Sequence, residues 1–571
     1  MLLAATKAWA QQPEPPSQPA ATSALTTVHG VVRNAATGEP LPRALVRVEG
    51  EEVGALSDGE GRFELTGVAV GPQIVRVRKP GFNDRPYATE DVGYQNDGPA
   101  HSVLVAEAMP DLNFALTPTS AIHGRVELST GDPAEGIGIT LLKQVVRNGR
   151  AVWTKNGETK ANGSGAYRFA GLPAGVYELF TQPALESDSA ATALAAGAKV
   201  ALGGFASVFY PEAARIHLAA GQQAEANLLL TLEPFHPVTA TAILPNGKPF
   251  EGNGIEENFF SSGSVLMSAV MNEAGQELAY KAEFNAATHN IQTTLPNGTY
   301  TLAAAALIRK SSGSDPPVGP GGLSQVEQSF MGFTEFSVAQ HAAANLRIPL
   351  SALPSWPIHL RVLRRAQTNA NANQELAKLV TVTASFAGDA PMDSDQGESN
   401  AEDAGPELLD ISGAALGPHW LSTEVNDRSL CVESFTAGGV NLAREPLNLP
   451  LGASPPPMEL TLTDNCAKLA LTLPPALALF LPGDEPFYTV YVVPDFDTTA
   501  DIPPMTMHPS SGATLTVDGL TPGSYHIYVF DQPLRLEYRN PAVLAALPTP
   551  GQQVTLTVGE TGNLVLEVAG R

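Results

Sequence analysis

One pattern constrains this chain more than any other. A short strand of alternating apolar residues returns five times, each time followed by a break. The copies are Leu112-x-Phe114-x-Leu116, Leu228-x-Leu230-x-Leu232, Leu346-x-Ile348-x-Leu350, Met458-x-Leu460-x-Leu462 and Leu564-x-Leu566-x-Val568. They lie roughly 105–120 residues apart, the size of one sandwich domain. Period-two alternation turns one face of a strand to a core and the other to water. Each copy therefore reads as the last strand of a domain. The phrases after the first four, TPTS, EPFHP, SALPSWP and TDNC, read as short connections.

A second element counts the same units. A tight turn feeds a strand in GLPAGVY (171–177), TLPNGTY (294–300) and GLTPGSY (519–525), with looser versions in GVAVGPQ (67–73) and ALGPHW (415–420). Pro presets the turn, Gly admits positive φ, and Tyr starts the next strand facing the core. Between these marks the strands are short: Val46 and Val48 alternate with Arg47, Val75 and Val77 with Arg76 and Arg78, and Leu556 lies between two threonines. Asn-Gly at 148–149, 156–157, 162–163, 246–247 and 297–298 predicts hairpin turns.

Composition agrees. The 571 residues hold 52 Gly and 48 Pro with only 16% charged residues, the balance of many turns and few charged helical faces. The fold class expected is all-β, about five tandem immunoglobulin-like β-sandwiches. The boundaries expected are a leader over 1–26 and sandwiches over 27–118, 119–234, 235–352, 353–466 and 467–571. An Ala-rich insertion, the one helix-like stretch, is expected over 186–200, a long loop over 309–325, and an acidic loop over 388–410.

A net charge of −25 leaves no basic face for phosphate and excludes nucleic acid as a partner. It also disfavours anionic lipid headgroups. The most apolar run, Leu469 to Leu481, is interrupted by Pro474 and Pro475 and is too short to span a bilayer. Ala8-Trp9-Ala10 before Gln11 has the form of a signal-peptide cleavage site, although Lys7 interrupts a short apolar stretch. The expected location is secreted, periplasmic or at the cell envelope.

The first domain carries a family likeness. VHGVVRNAATGEPLPRALVRVEG (28–50) and LSDGEGRFELTGVAVGPQIVRVRKPGF (56–82) resemble the carboxypeptidase regulatory-like domain, a transthyretin-like, Cna-B-like sandwich. The matching positions are Thr37, Gly38, Pro40, Leu41, Ala44, Val46, Val48, Asp58, Gly61, Phe63, Pro80, Gly81 and Phe82. Asp58 is suited to cap the hairpin, and Phe63 to anchor the core. The second domain repeats the motif as Asn162, Gly165 and Tyr167. The runs SLCVESFTAGGVNLAREPLNL (429–449) and LEYRNPAVLAAL (536–547) resemble the tail of large exported proteins of acidobacterial type. The likeness implies a fold, not a peptidase, because the module accompanies a separate catalytic domain.

Chemistry-bearing motifs are sparse. None of the 11 His starts an H-x-x-E, and there is no H-E-x-x-H, G-x-S-x-G or phosphate loop. The chain ends Val-Ala-Gly-Arg, not the Tyr-Arg-Gly-Ser of hydroxyisourate hydrolases. Opening strands 28–33 and 122–128 lack the Lys that would form an isopeptide with Asn113 or Asn227. No catalytic residue, cofactor or metal is expected. Asp393, Asp395, Glu398, Glu402 and Asp403 group as calcium ligands do, but without an EF-hand register they read as a solvated run.

Cys431 and Cys466 are the only cysteines. In an oxidising compartment they are expected to form a disulfide that staples the last hairpin of the fourth domain to the fifth, stabilising by roughly 3 kcal/mol. The alternative is two buried thiols. The function expected is a non-catalytic scaffold or interaction protein with an unidentified protein or glycan partner. Carbohydrate binding is the alternative, resting on Trp153 as an exposed platform, with Trp420 read as core.

Overall fold

The computed structural model describes residues 24–567 apart from 84–99, 108, 187–201, 211–214, 255–263, 273–276, 310–325, 342, 353–355, 364–375, 388–397, 406, 412–416, 450–455, 474–487, 508–513 and 531–534. The described residues are almost all strand, organised as tandem β-sandwiches. They fall into two compact units, one up to Thr117 and one from Pro118 onward.

The five recurring strands share one role. Each pairs in parallel with the strand that opens its own sandwich. The pairs are Leu112–Pro118 with Leu25–Asn34, Leu228–Leu230 with Ser120–Leu128, Ala343–Pro349 with Leu232–Ile243, Met458–Thr463 with Trp356–Leu363, and Thr561–Val565 with Ala467–Thr472. On its other side each opening strand takes an antiparallel partner. Parallel neighbours cannot be joined by a tight hairpin, so the intervening chain must build a second sheet before it returns. That requirement sets the sandwich-sized interval. Five large apolar clusters among the described residues fill the spaces between facing sheets.

The motif of the first sandwich has a physical reason. Asp58 Oδ1 accepts from the Glu60 and Arg62 amides, both at 2.8 Å. In the second sandwich Asn162 Oδ1 accepts from Ser164 and Ala166, both at 3.0 Å. The aromatic that follows lies over a glycine of the opening strand. A Cβ on Gly30 would stand 2.4 Å from the Phe63 ring, and one on Gly124 would stand 1.8 Å from Ala226 O. Tyr167, the counterpart of Phe63, donates its hydroxyl to that same carbonyl at 2.5 Å.

The turn-and-tyrosine element is a self-locking device. Tyr177 donates to Pro173 O, Tyr300 to Pro296 O and Tyr525 to Thr521 O, each reaching back four residues to close its own turn. Gln73 Nε2 does the same to Ala69 O in the first sandwich, where the looser motif lacks Tyr. In the fourth, His419 holds the corresponding place and is fully buried.

Several expectations need correction. EPFHP is not a connection: the strand Leu232–Ile243 runs through it. Its start pairs with Leu202–Phe205 and its remainder with Asn290–Leu295 and Ala343–Pro349. Phe235 and His236 are buried along it, so apolar contact outweighs the prolines. Leu232 is exposed and opens this strand rather than closing the previous one. Asn156-Gly157 is no turn; the ladder shifts there inside Arg150–Lys160, leaving a bulge. Part of the expected acidic loop is strand: Glu398–Asn400 and Glu402–Gly405 join different sheets. Of the helix expected over 186–200, the loop over 309–325 and the leader over 1–26, residues 187–200, 310–325 and 1–23 lie outside the described residues, while the first strand already begins at Leu25.

Candidate functional site

The unit from Pro118 onward contains a junction of three sandwiches, built around one hairpin tip. The strands Gly138–Arg147 and Arg150–Lys160 pair up to Arg147↔Arg150, so only two residues turn the chain. Asn148 (φ 47) and Gly149 (φ 73) supply the two positive φ angles of a type I′ turn. A hairpin tip is ordinarily the most exposed part of a sheet, yet Gly149 is buried. The Tyr538 ring rests on it so closely that a Cβ would stand 2.6 Å away. The Arg539 amide donates to Gly149 O at 3.0 Å. On the other side the Arg150 guanidinium lies 3.6 Å over the Trp420 ring of the fourth sandwich.

The segment around Tyr538 is positioned by its own sequence. Leu536 is buried and its amide donates to the Tyr491 hydroxyl at 3.1 Å. Tyr538 donates to Asp501 Oδ1 at 2.9 Å, and the Arg539 guanidinium donates to Thr498 O and Ala500 O. Asn540 caps the short helix Pro541–Ala545, with Pro at its first turn. Val543 and Leu544 lay that helix on Tyr491, Val493 and Tyr528, the outer face of the fifth sandwich's sheet.

The fourth and fifth sandwiches are tied together. Thr423 donates its amide to Thr499 O and accepts from the Asp501 amide, both at 2.8 Å. Arg444 pairs with Asp497, and Thr521 donates its hydroxyl to Val432 O. Cys431 opens the strand Cys431–Ala437, Cys466 precedes the strand Ala467–Thr472, and the two are joined as a disulfide with Cα atoms 5.7 Å apart.

A cavity of about 690 Å³ opens at this junction, with Asp495, Asp497, His526, Tyr528, Arg539 and Arg150 on its wall. A second of about 330 Å³ adjoins it and shares Arg150 and Arg539. Burial, and secondarily the Arg539 charge, lower the Arg150 pKa to about 10, against a smaller raising effect of Tyr538. Burial pushes the Tyr538 hydroxyl well above the usual tyrosine value, and Asp501 adds to this. His526 Nε2 lies 3.1 Å from Asp495 Oδ2 and its Nδ1 faces Gly551 O, so both ring nitrogens are engaged. The hydroxyls on this wall, those of Thr498, Tyr528 and Tyr538, make no hydrogen bond to His526 among the described contacts. The wall presents donors, acceptors and rings suited to binding.

Other sequence candidates do not converge. Trp153, expected to be exposed, is 5% exposed and packs with Leu142 and Phe180, so it offers no platform. Trp420, expected in a core, is half-buried beneath Arg150. Asn227 accepts from the Arg125 amide and donates to Glu225. Glu398 stands on one sheet and Glu402 and Asp403 on another, and Asp393 and Asp395 lie outside the described residues. Among the described residues no group of His, Cys, Asp or Glu is arranged to hold a metal. Arg150, Tyr538 and Arg539 form no motif in the sequence, where 148–149 reads only as a turn and 536–547 only as a family likeness.

Residues 27–115 match the model of the carboxypeptidase regulatory-like domain family. No curated protein matches the sequence. Among solved structures, the chain is similar to the Bacillus anthracis TIE protein at 14% identity and a TM-score of 0.16, over 57% of this chain and 50% of that one. It thus spans about half the length of that protein. It is similar to a streptococcal ancillary pilin at 10% identity and a TM-score of 0.18, over 57% of this chain and 99% of the pilin. A putative polysaccharide binding protein of Bacteroides thetaiotaomicron gives 12% identity and a TM-score of 0.16, over 33% of this chain and 76% of that one.

Proposed function

We propose that this protein is a non-catalytic interaction scaffold, exported to the cell envelope, with sandwiches divided near residues 118, 234, 352 and 466. One observation carries the reading: the hairpin tip Asn148-Gly149, with Gly149 buried, keys the second sandwich into the fourth and fifth. A scaffold needs fixed relative positions for its loops, and tertiary contacts between sandwiches supply them. The disulfide favours an oxidising compartment. None of the described groups at the junction pairs a nucleophile with a base, which favours binding over catalysis. Where the sandwiches lock this way, the protein holds partners at set positions rather than spacing them along a flexible string.

Subcellular fractionation of the native host with N-terminal sequencing tests export. A mature start near Gln11 in an envelope or secreted fraction supports it. A cytoplasmic protein retaining Met1 contradicts it. Glycan binding is a second reading. It loses Trp153 as a platform and passes to the junction cavity, where the half-buried His526 ring, backed by the buried Tyr528 ring at 6.3 Å, stands beside hydrogen-bonding groups.

A further inference from the structure

The junction cavities have an electrostatic asymmetry within a chain of net charge −25. Arg150 and Arg539 face the same space at one end. Arg539 spends two of its nitrogens on the carbonyls of Thr498 and Ala500, and its Nε is buried without a partner. Arg150 stacks on Trp420, and no carboxylate among the described residues lies within ion-pair reach of it. Two guanidiniums side by side repel each other, and stacking does not cancel that charge. A guanidinium held flat against an indole keeps its N–H edge free for a bidentate oxyanion. The far end of the larger cavity differs. Asp495 and Asp497 are exposed there, beside the His526–Tyr528 stack. Asp497 pairs with Arg444 and Asp495 lies 3.1 Å from His526 Nε2, and their remaining lone pairs accept hydroxyl donors rather than further carboxylates.

The geometry points to a hydroxyl-rich saccharide whose one charge is a terminal carboxylate, that of a uronic acid, as the ligand of this cavity. The Arg150 edge takes the carboxylate, the half-buried His526 ring meets the apolar face of a sugar, and Asp495 and Asp497 accept from its hydroxyls. This deepens the glycan reading and rests on it. Because the wall comes from three sandwiches, the ligand also favours their docked arrangement.

The test is calorimetric titration of the full chain at low salt with three probes: a trisaccharide whose only charged unit is a terminal glucuronic acid, its uncharged glucose-ended counterpart, and inorganic phosphate. The expected result is that the acid probe binds at least about tenfold more tightly than the neutral one. Arg150→Gln removes most of that advantage, and Arg150→Lys, which keeps the charge without the fork, restores only part of it. The acid probe should also protect Arg150 of the unmodified protein from an arginine-selective reagent, a readout that needs no variant to fold. Equal binding of both sugars overturns the carboxylate site while leaving the glycan reading intact. Binding of neither sugar overturns both. Phosphate binding as tightly as the acid probe and displacing it reduces the site to a general oxyanion site and overturns the saccharide assignment.

Discussion

The Arg150 guanidinium sits 3.6 Å over the Trp420 ring, joining residues 270 positions apart on two different sandwiches. A half-buried cation on an indole contributes about 1–2 kcal/mol. Trp420→Ala should therefore loosen the second sandwich from the fourth while leaving each core intact. Hydrogen exchange should speed up in 147–150 and 536–540, with the opening strands unchanged. Unchanged exchange at both segments would contradict the role given to this pair.

Gly149 offers a sharper perturbation of the same joint. Its φ of 73° disfavours any side chain by about 1–2 kcal/mol. An added Cβ would also meet the Tyr538 ring at 2.6 Å. Gly149→Ala is expected to expose Tyr538 and raise its susceptibility to nitration, whereas Gly247→Ala, with equally positive φ and open space around it, should not.

Buried tyrosines set an alkaline limit. Burial raises the pKa of Tyr167, Tyr280 and Tyr525 above the usual tyrosine value and pushes Tyr300 up to about 12. The folded state thus holds these protons more tightly than the unfolded state. The stability they confer is complete below about pH 10 and is lost as the pH rises toward the folded values. Tyrosinate absorbance should show these side chains titrating together with unfolding. Titration of all tyrosines near the ordinary value with the fold intact would contradict this.

Closing the 35-residue span between Cys431 and Cys466 should stabilise by roughly 3 kcal/mol. The Cys431→Ser/Cys466→Ser double variant should melt earlier, and the unmodified protein should take up alkylating reagent only after reduction. Alkylation without reductant would remove the cross-link.

The sequence carried most of the fold and little of the site. Alternation in Leu112–Leu116 and Met458–Leu462 predicted closing strands, because burying one face leaves a period-two trace in any single strand. The Asp58 cap and the Tyr177, Tyr300 and Tyr525 turns were legible because each works within a few residues of itself. The Leu232–Ile243 strand is not legible because prolines usually mark breaks, and only the cores on both sides show that it continues. The junction was hidden because Gly149, Trp420 and Tyr538 satisfy local rules individually. Their meeting depends on how three sandwiches dock, which leaves no periodic trace.

The most direct test of the keyed junction is the exchange rate of the Arg539 amide, which donates to Gly149 O from a different sandwich. Residue-resolved hydrogen exchange of the full chain should find it slowed at least about a hundredfold relative to an unstructured peptide, with protection lost in Gly149→Ala. Exchange at the unstructured rate in the unmodified protein would mean that the second and fifth sandwiches are not held together, and the rigid scaffold would fall with them.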